Sequence, residues 1–453
     1  MLNLLNKYGN GIFVGCGTIS LAYLYNMSTS DGQFHSSSKR LDGKTIVLTG
    51  GTSGIGEKMV RNLSIRHGAK VVVATRDLEK CERMKKQQIE QYEKWTDPEK
   101  QNFAERKILE KEIPNFKNPK DLIDCEYCDL KSFKSVAEFA KNVEEKYEHV
   151  DSLINNAGIL RPEPTITTKK NLIKETTDPN NPIIDKTLSY KTAQTDDNLE
   201  ETLQVNTISH FLLSKLLAEK IEKTSSLVDS TGAPDVAKII NVTCSSQKYG
   251  ILDFTDMNLT KTNEEYQASY EYRSNEFYKT SKLGNVLITK EFSKLHPNLN
   301  TTAVDPGIAI DTNISRNLEN TQGLTSYLNK YINPGYYFFK FSKGRTSDQC
   351  ARDITARLFE KTENGSLYDQ DKKALNLLRV DEIIEKQNKI FGEQLWNEKR
   401  AKCKCTEEVN NISVSEEDIL AARKRRFGAS LDINIYSDSY SKVLWKYSEM
   451  VSS

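Results

Sequence analysis

Residues 44–77 read KTIVLTGGTSGIGEKMVRNLSIRHGAKVVVATRD, and the order of residue types in this stretch predicts the core of the fold. A short β-rich run, Lys44–Leu48, leads into a glycine-rich turn, Thr49–Gly56, and then into an amphipathic helical pattern that continues to Ala69. A second apolar run, Lys70–Ala74, follows at the spacing of a β-α-β unit. Glycines in such a turn let the backbone approach a pyrophosphate, and the helix N-terminus adds free N–H groups and a partial positive charge. The stretch therefore predicts a parallel sheet with a dinucleotide-binding turn.

The two residues after the second strand bear on the choice of dinucleotide. An acidic residue at this point holds the ribose 2′-hydroxyl of NAD, whereas an arginine accommodates the 2′-phosphate of NADP. The sequence has Thr75-Arg76-Asp77 there. Arg76 favours NADP(H), and Asp77 complicates that interpretation; a solvated loop charge is the alternative role for Arg76.

The composition of the chain limits the classes of protein to which it can belong. It has 453 residues, enough for up to three domains or for one α/β unit with insertions. Lysine and arginine total 64 and aspartate and glutamate 63, so the net charge of +1 gives no global reason to bind nucleic acid. Eight cysteines are too few for a disulfide-built scaffold. Neither Cys125-x-x-Cys128 nor Cys403-x-Cys405 has a nearby partner pair, so no metal site is expected.

The amino-terminal segment has membrane character, although a mean hydropathy of −0.60 excludes a polytopic membrane protein. No charged residue occurs from Tyr8 to Ser30, and Gly11–Tyr25 is marginal in length for a bilayer span. A single anchor or membrane-embedded hairpin is favoured over a cleaved signal and over a soluble packing helix. Lys39 and Arg40 outweigh Lys7, which predicts a membrane-associated protein facing the cytosol at the endoplasmic reticulum or a lipid droplet, with a cytoplasmic protein as the alternative. The cysteine usage agrees with a reducing compartment.

Further motifs follow the glycine turn in a fixed order. TGGTSGIG at 49–56 and NNAG at Asn155–Gly158 resemble those of the short-chain dehydrogenase/reductases. The other motifs that carry this resemblance, in particular to the retinol dehydrogenase-like branch, are LQVNTISHFLLSKLL at Leu203–Leu217, YKTSK at Tyr278–Lys282, DPG at Asp305–Gly307, and GRTSDQCARDITARLF with NGSLY at Asn364–Tyr368. The threonine expected soon after the DPG turn comes late, at Thr312. The resemblance covers roughly Leu41–Tyr368.

The resemblance implies an α/β fold with a doubly wound (Rossmann), mostly parallel sheet, helical insertions and an NADP(H) cofactor at the carboxyl edge of the strands. Alternation of strand-like and helical stretches along the chain is the pattern of β-α-β units. The positions implied for cofactor binding are Gly50, Thr52, Ser53, Gly54, Ile55, Gly56, Arg76, Asp129, Asn156, Ala157, Gly158, Tyr278, Lys282, Pro306 and Gly307. Asp129 is also placed to cap the helix that follows it.

Tyr278 and Lys282 are the expected catalytic pair. At positions i and i+4 they share one face of a helix. A free tyrosine, with a pKa of about 10, is a poor base near neutrality. A neighbouring ammonium and a cationic nicotinamide are therefore expected to lower the pKa of the phenol. In the family the lysine also holds the nicotinamide ribose, and the asparagine, here Asn206, anchors a water that relays protons toward the lysine.

The position of the family's catalytic serine departs from the pattern. The segment KIINVTCSSQKYG places Cys244 there, and a thiol is a weaker and longer hydrogen-bond donor than a hydroxyl. If the strand continues through this segment, Ser245 faces the opposite side unless a bulge intervenes. Ser246 then shares the face of Cys244 and is the candidate substitute. Either a substitute donor supports catalysis, or the activity is reduced or lost.

The expected domain organisation is an anchor at 1–30, a linker at 31–40, a dehydrogenase domain at 41–372 with insertions near 80–120 and 160–200, and a helical and polar extension at 373–453. The first insertion is expected to be a charged helical arm, and the second a loop near the rim of the site that serves as a lid or a partner surface. The aromatic run Tyr331–Phe341 suits a membrane-proximal, substrate-side element or core packing. The basic cluster Arg423–Arg426 suits a solvated surface, and Trp445 is expected to pack a terminal helix onto the core.

Two functions are consistent with these residues. The favoured one is a membrane-anchored NADP(H)-dependent oxidoreductase acting on the carbonyl or hydroxyl group of a lipophilic small molecule such as a retinoid, sterol or lipid aldehyde. The alternative is a cofactor-binding scaffold with little or no activity, whose insertions bind protein partners. Cys244 and the insertions motivate the alternative.

Overall fold

The structure is a computed structural model that describes residues 40–97, 99, 116–160, 165–173, 184–191, 194–228, 237–250, 271–309, 312, 344–369, 372–379, 382 and 438–452. Five predictions lie outside this part of the chain: the anchor at 1–30, the linker up to residue 39, Cys403-x-Cys405, Tyr331–Phe341 and Arg423–Arg426. Within the described ranges, no helix combines the length and the apolar character needed to cross a bilayer.

An eight-stranded sheet forms the centre of the molecule. In spatial order its strands are β12 (Lys372–Asn376), β11 (Ser366–Asp369), β8 (Asn300–Asp305), β7 (Lys238–Val242), β4 (Ser152–Asn155), β1 (Thr45–Thr49), β2 (Lys70–Thr75) and β3 (Ile123–Tyr127). All neighbours pair in parallel except β11 and β12, which are antiparallel. This arrangement confirms the doubly wound, mostly parallel sheet.

Helices cover both faces of the sheet. They are α1 (Gly54–Arg61), α2 (Leu78–Thr96), α3 (Phe133–Lys146), α4 (Ser209–Val228), α5 (Glu271–Leu295), α6 (Ser347–Phe359) and α7 (Asp438–Ser452). The core contains two large apolar clusters, one on each face: α1, α2 and α6 contribute to the first, and α3, α4, α5 and α7 to the second. Side chains of β1 alternate between them, because Val47 belongs to one cluster and Ile46 and Leu48 to the other. Burial on both faces explains why these strands read as continuous apolar runs.

Two segments precede α4 without a break in the helical path. They are the helical turn Glu201–Leu203 and the π-helical segment Gln204–Ile208. Single-turn π-helical segments within longer helices occur frequently at functional sites. This one contains Asn206, so the wider turn lies where the sequence predicts a catalytic residue.

The second insertion differs from the sequence prediction. Residues 160–200 were expected to form a loop, but β5 (Thr165–Ile173) and β6 (Ile184–Lys191) form an antiparallel pair, with Ile173 opposite Ile184. Both segments contain several β-branched or aromatic residues, which favour strands. The Thr-, Asn- and Pro-rich composition of the whole insertion obscured these local runs. In the first insertion, α2 confirms the helical arm over its described part.

A disulfide between Cys81 and Cys125 joins α2 to β3. No role was expected for Cys125 from the sequence, because the cysteine spacing was tested only for metal ligation. The two residues are separated by 44 positions, so only the fold brings them together. Since disulfides are rare in reducing compartments, the cysteines do not support the reducing environment inferred from the sequence.

Helix α7 packs against α4 and α5 through an aromatic cluster. The Trp445 ring meets Phe211 of α4 edge-on, with ring centroids 4.7 Å apart, and Phe292 of α5 at 5.0 Å. Such edge-to-face pairs contribute roughly 0.5–1.5 kcal/mol beyond the burial of their area. The expected packing of Trp445 onto the core is confirmed.

Candidate active site

A cavity of about 610 Å³ opens at the carboxyl edge of the sheet, where the ends of β1, β2, β4, β7 and β8 meet. Open α/β sheets bind ligands at this edge, at the point where the winding reverses. Every residue that the sequence predicts to bind cofactor lines this cavity: Gly50, Thr52, Ser53, Gly54, Ile55, Gly56, Arg76, Asp129, Asn156, Ala157, Gly158, Tyr278, Lys282, Pro306 and Gly307. Cys244, Ser245 and Ser246 line it as well, whereas Asn206 does not.

The glycine turn fits a closely approaching ligand because side chains are disfavoured at its glycine positions. Gly50 and Gly54 have φ angles of +69° and +55°, which L side chains rarely adopt. A Cβ atom on Gly56 would lie 2.0 Å from the Gly50 carbonyl oxygen. A Cβ on Gly54 would lie 3.2 Å from Cγ2 of Thr312, so the late threonine still faces the turn. Helix α1 begins at Gly54 and therefore directs its N-terminus to the cavity.

Arg76 and Lys80 place two cations at the end of the cavity that borders β2. Among the described residues neither side chain has an ion pair, and both are exposed. The Asp77 carboxylate caps α2 by accepting a hydrogen bond from the Lys80 backbone N–H at 2.8 Å, and Asp77 does not line the cavity. Asp77 therefore does not offset the charge of Arg76 within the cavity, and the residues present fit a 2′-phosphate.

Asp129 lines the same end of the cavity and does not cap the helix that follows it. Ser132 is the N-cap of α3, with its hydroxyl accepting from the Ser135 N–H at 3.3 Å. The Asp129 carboxylate accepts instead from the Lys131 backbone N–H at 3.0 Å. The sequence prediction of a cap at Asp129 is wrong, since the helix begins later.

Thr49 joins the NNAG segment to the glycine turn. Its Oγ1 accepts hydrogen bonds from the backbone N–H groups of Asn156 and Ala157, each at 3.0 Å. The Asn156 side-chain amide donates in turn to the Thr49 carbonyl oxygen at 3.0 Å. These bonds fix the wall of the cavity between β1 and β4 in one conformation.

Tyr278 and Lys282 lie on α5 at the other end of the cavity. The Lys282 ammonium nitrogen is 5.6 Å from the centroid of the Tyr278 ring and donates to the Val242 carbonyl oxygen at 3.2 Å. Burial lowers the pKa of Lys282. Burial, with the neighbouring Cys244 side chain and the Asp305 carboxylate, raises the pKa of Tyr278 above its usual range. In the free protein the phenol therefore keeps its proton; the lowered pKa expected from the lysine together with a cationic nicotinamide stays a prediction.

Cys244 lies beside the tyrosine, as the sequence alignment predicts. Its side chain contributes to the raised pKa of Tyr278, and its sulfur is 2.8 Å from the Ser246 hydroxyl oxygen. The expected positions of the two serines are confirmed but not the strand assumed for them, because β7 ends at Val242 and residues Ser245–Tyr249 form a 3₁₀ helix. The tight turn, rather than strand alternation, brings Ser246 to the thiol, while Ser245 is exposed at the rim.

Asn206 is fully buried behind the cavity wall. Its side-chain oxygen accepts from the Ile159 N–H at 2.8 Å, and its amide nitrogen donates to the Ile159 carbonyl at 3.0 Å and to the Ser281 hydroxyl at 3.0 Å. A Cβ on Gly158 would lie 3.6 Å from the Asn206 side-chain oxygen. Asn206 thus acts on the site by fixing the segment after NNAG to α5.

Sequence reasoning missed three residues at this site. Lys80 lies one helical turn beyond Arg76, and the signal that could have found it is its position in the first turn of α2. Asp305 precedes the predicted Pro306 and is buried, which raises its pKa to about 6. His210 is buried between Thr49 and Asn206, and its polar side chain in an apolar helical run was the available signal.

Comparison with known proteins finds similar sequences among dehydrogenases. The short chain dehydrogenase family model matches residues 100–256. Human retinol dehydrogenase 13 is 29% identical over 65% of this chain and 67% of its own length, and mouse retinol dehydrogenase 13 is 30% identical over 59% of each. Human retinol dehydrogenase 12 is 28% identical over 66% of this chain and 73% of its own length.

Solved structures with a similar fold include two cofactor complexes. A 3-ketoacyl-(acyl-carrier-protein) reductase from Brucella melitensis complexed with NADH has 18% identity and a TM-score of 0.43, over 73% of this chain and 97% of that one. The Pseudomonas aeruginosa RhlG/NADP complex has 17% identity and a TM-score of 0.43, over 73% of this chain and 96% of that one.

The family model and the relatives support an oxidoreductase acting on CH–OH or C=O groups. The glycine turn, the NNAG segment and the Tyr278–Lys282 pair line one cavity. In sequence the chain is similar to the short-chain dehydrogenase/reductases and, among the relatives, to retinol dehydrogenases.

Proposed function

We propose that the chain is an NADP(H)-dependent oxidoreductase acting on the carbonyl or hydroxyl group of a lipophilic small molecule of the retinoid, sterol or lipid aldehyde class. The observation that carries this proposal is one cavity with two functional ends. Arg76 and Lys80 lie at one end, and Tyr278, Lys282 and Cys244 meet at the other. The dehydrogenase domain at 41–372 is part of the same proposal.

The chemistry assigned to the protein's own groups is a proton transfer. The nicotinamide supplies or accepts the hydride at its C4 atom. During carbonyl reduction the Tyr278 hydroxyl gives its proton to the carbonyl oxygen, and its raised pKa favours this donor form. Lys282 lies beside the resulting tyrosinate as a cation and stabilises it, while Cys244 and Ser246 orient the substrate oxygen.

The lipophilic substrate class rests on the lining and on the relatives. Val205, Ile159, Ile308 and Ala309 line the cavity, and Ile308 is 46% exposed. The relatives are named for retinol, an apolar alcohol.

The membrane location on the cytosolic side, at the endoplasmic reticulum or a lipid droplet, belongs to the proposal through the segment at 1–30, with a cytoplasmic protein as the alternative. Because the Cys81–Cys125 disulfide is typical of oxidising compartments, protease protection in intact vesicles is the experiment that tests the orientation.

A panel assay of the purified full chain tests the function. NADPH consumption is measured with retinals, steroid ketones and long-chain aldehydes. Tyr278→Phe removes the proton donor and should lower turnover about 10²- to 10⁴-fold while NADPH binding is retained. Tyr249→Phe is the matched control, since Tyr249 is exposed and outside the cavity lining. A protein that binds NADPH but leaves the whole panel unchanged, or Tyr278→Phe with full activity, contradicts the proposal.

The thiol at position 244 also favours a second candidate, a cofactor-binding scaffold that acts through protein partners. Cells lacking the gene distinguish the two. A scaffold predicts equal rescue by wild type and by a stably expressed Tyr278→Phe, Lys282→Ala double variant, whereas an enzyme predicts rescue by wild type alone.

A further inference from the structure

His210 is a buried polar residue for which the chemistry at Tyr278 has no direct use. It lies on α4, one turn after Asn206, and is only 2% exposed. Its Nδ1 atom is 3.0 Å from the Asn206 backbone carbonyl oxygen, and its Nε2 atom is 2.9 Å from Oγ1 of Thr49. The imidazole therefore spans the space between β1, which leads into the glycine turn, and the segment that carries the asparagine.

The partners of the ring determine its tautomer. A backbone carbonyl oxygen only accepts hydrogen bonds, so Nδ1 of His210 must carry the proton that it donates to Asn206. In the neutral ring Nε2 is then an acceptor. Oγ1 of Thr49 lies 2.9 Å from Nε2 and 3.5 Å from the Ile154 carbonyl oxygen, so Nε2 is the nearer acceptor for the hydroxyl proton.

The remaining hydrogen bonds of the Thr49 hydroxyl are consistent with this tautomer of His210. A hydroxyl has one proton and two lone pairs. With its proton directed to His210, both lone pairs remain for the backbone N–H groups of Asn156 and Ala157, which lie 3.0 Å away. The ring thus fixes the hydroxyl in the one rotamer that satisfies the NNAG wall of the cavity.

A charged ring cannot make this set of bonds. Protonated His210 would have two donors, leaving Thr49 without its acceptor and placing a second positive charge near Lys282. Burial lowers the pKa of His210 to about 4. The positive charge of Lys282 also lowers this pKa, whereas the hydrogen bond to the Asn206 carbonyl raises it. The ring is therefore neutral near pH 7.

We propose that His210, as a neutral ring protonated at Nδ1, is a positioning residue that couples the cofactor-binding wall to the catalytic end of the site. Through Thr49 it holds Asn156 and Ala157, which line the cavity. Through the Asn206 backbone it holds the residue whose amide reaches Ser281, and the Ser281 hydroxyl donates to the Tyr278 carbonyl at 2.8 Å. The coupling to a cofactor rests on the proposed function, whereas the tautomer does not.

The first experiment determines the tautomer without any turnover. Long-range ¹⁵N–¹H NMR on deuterated, histidine-labelled full chain resolves the ring nitrogens of the five histidines, and His210→Phe assigns the signal by its loss. We expect an Nδ1-protonated neutral ring that does not titrate between pH 5 and 8. An Nε2-protonated ring, or titration in this range, overturns the proposal. If His210→Phe does not fold, Thr49→Val assigns the same signal by its shift.

The second experiment tests the coupling by a double-mutant cycle. His210→Phe and Thr49→Val each break the same hydrogen-bonded set, so each should weaken NADPH binding about tenfold, and the double variant should lose little more than one of them. Thr49→Ser keeps the hydroxyl and should bind NADPH like wild type. His149→Phe is the control, because His149 lies at the opposite edge of the sheet, bonded to the Gly43 carbonyl.

The outcomes separate this proposal from the proposed function. Additive losses in the cycle, or full NADPH affinity in His210→Phe, overturn the coupling. A wild-type protein that binds no NADPH contradicts the proposed cofactor and the coupling to it, while the NMR result still decides the tautomer. Equal loss of stability in Thr49→Ser and Thr49→Val, with equal binding, indicates packing only and also overturns the proposal.

Discussion

The two ends of the cavity are constructed differently. At the glycine turn the ligand-facing surface is mostly backbone, and a single added Cβ at Gly56 would approach the Gly50 carbonyl to 2.0 Å. At the catalytic end the surface is made of side chains, and a thiol at Cys244 occupies the place where the family has a hydroxyl. The backbone end excludes almost any substitution for steric reasons. The side-chain end accepts an exchange of donor atoms, because it changes hydrogen-bond strength without displacing the chain.

The largest expected effect is on stability and comes from removing the disulfide. This bond ties α2, which carries Lys80 at the cofactor end of the cavity, to the sheet. Replacing Cys81 and Cys125 by serine should lower the free energy of unfolding by about 3–4 kcal/mol, since the bond closes a loop of 44 residues. Chemical denaturation of the variant and of wild type measures it. A reductant should lower the stability of wild type and leave the variant unchanged. Equal stability of both proteins would show that the bond contributes nothing.

Gly56→Ala tests the steric exclusion directly. The added methyl group must displace the Gly50 carbonyl, and such overpacking costs roughly 1–3 kcal/mol, so NADPH affinity should fall up to about a hundredfold. Calorimetry measures the affinity, and circular dichroism checks that the fold is retained. Gly43→Ala is the control, because Gly43 lies outside the cavity lining and its Cβ would meet no atom within 4 Å. Equal losses in both variants contradict the idea of a selective close approach at the turn.

Alanine substitutions at Arg76 and Lys80 test the charged side chains at the cofactor end of the cavity. Loss of a charge-assisted hydrogen bond costs roughly 1.5–3 kcal/mol, so Arg76→Ala should weaken NADPH binding about ten- to a hundredfold. Lys80→Ala should weaken NADPH binding about tenfold or less, because the lysine ammonium is a more strongly hydrated point charge than a guanidinium. NADH binding should not change in either variant. Lys86→Ala, exposed on the same helix away from the cavity, is the control, and parallel loss of NADH and NADPH affinity would contradict the assignment to the 2′-phosphate.

Cys244→Ser has the smallest expected effect and addresses the catalytic end. A hydroxyl is the stronger donor, so turnover should rise by up to about tenfold while NADPH affinity stays constant. Steady-state kinetics with Cys244→Ser, Cys244→Ala and Ser246→Ala separate the two donors. If Cys244→Ala retains full turnover and Ser246→Ala loses it, the neighbouring serine orients the substrate and the thiol does not.

The features that the sequence predicted well depend on local signals. The strand–turn–helix unit at 44–74 and the placement of Tyr278 and Lys282 follow from periodicity and from motifs that need no distant contact. The role of Asp77 required the helix start to be known, because capping withdraws its carboxylate from the cavity. The raised pKa of Tyr278 in the free protein required its burial to be known, while the lowered pKa expected beside a cationic nicotinamide stays a prediction.

Features that depend on distant contacts were not predictable in the same way. The bond from Cys81 to Cys125 requires α2 to lie against β3. The contacts of His210 join β1 to α4 across more than 150 positions of sequence. The 3₁₀ helix at Ser245 and Ser246 was not predicted, because nothing local marks the end of β7 at Val242.

The aromatic cluster of Trp445 has a consequence for biosynthesis. Helix α7 starts 143 residues after α5 ends, since 438 − 295 = 143. At translation rates of roughly 5–20 residues per second, the helix that carries Phe292 leaves the ribosome about 7–30 seconds before α7, and the helix that carries Phe211 leaves earlier still. The contacts of Trp445 with these two rings therefore form only after the rest of this aromatic cluster has been made.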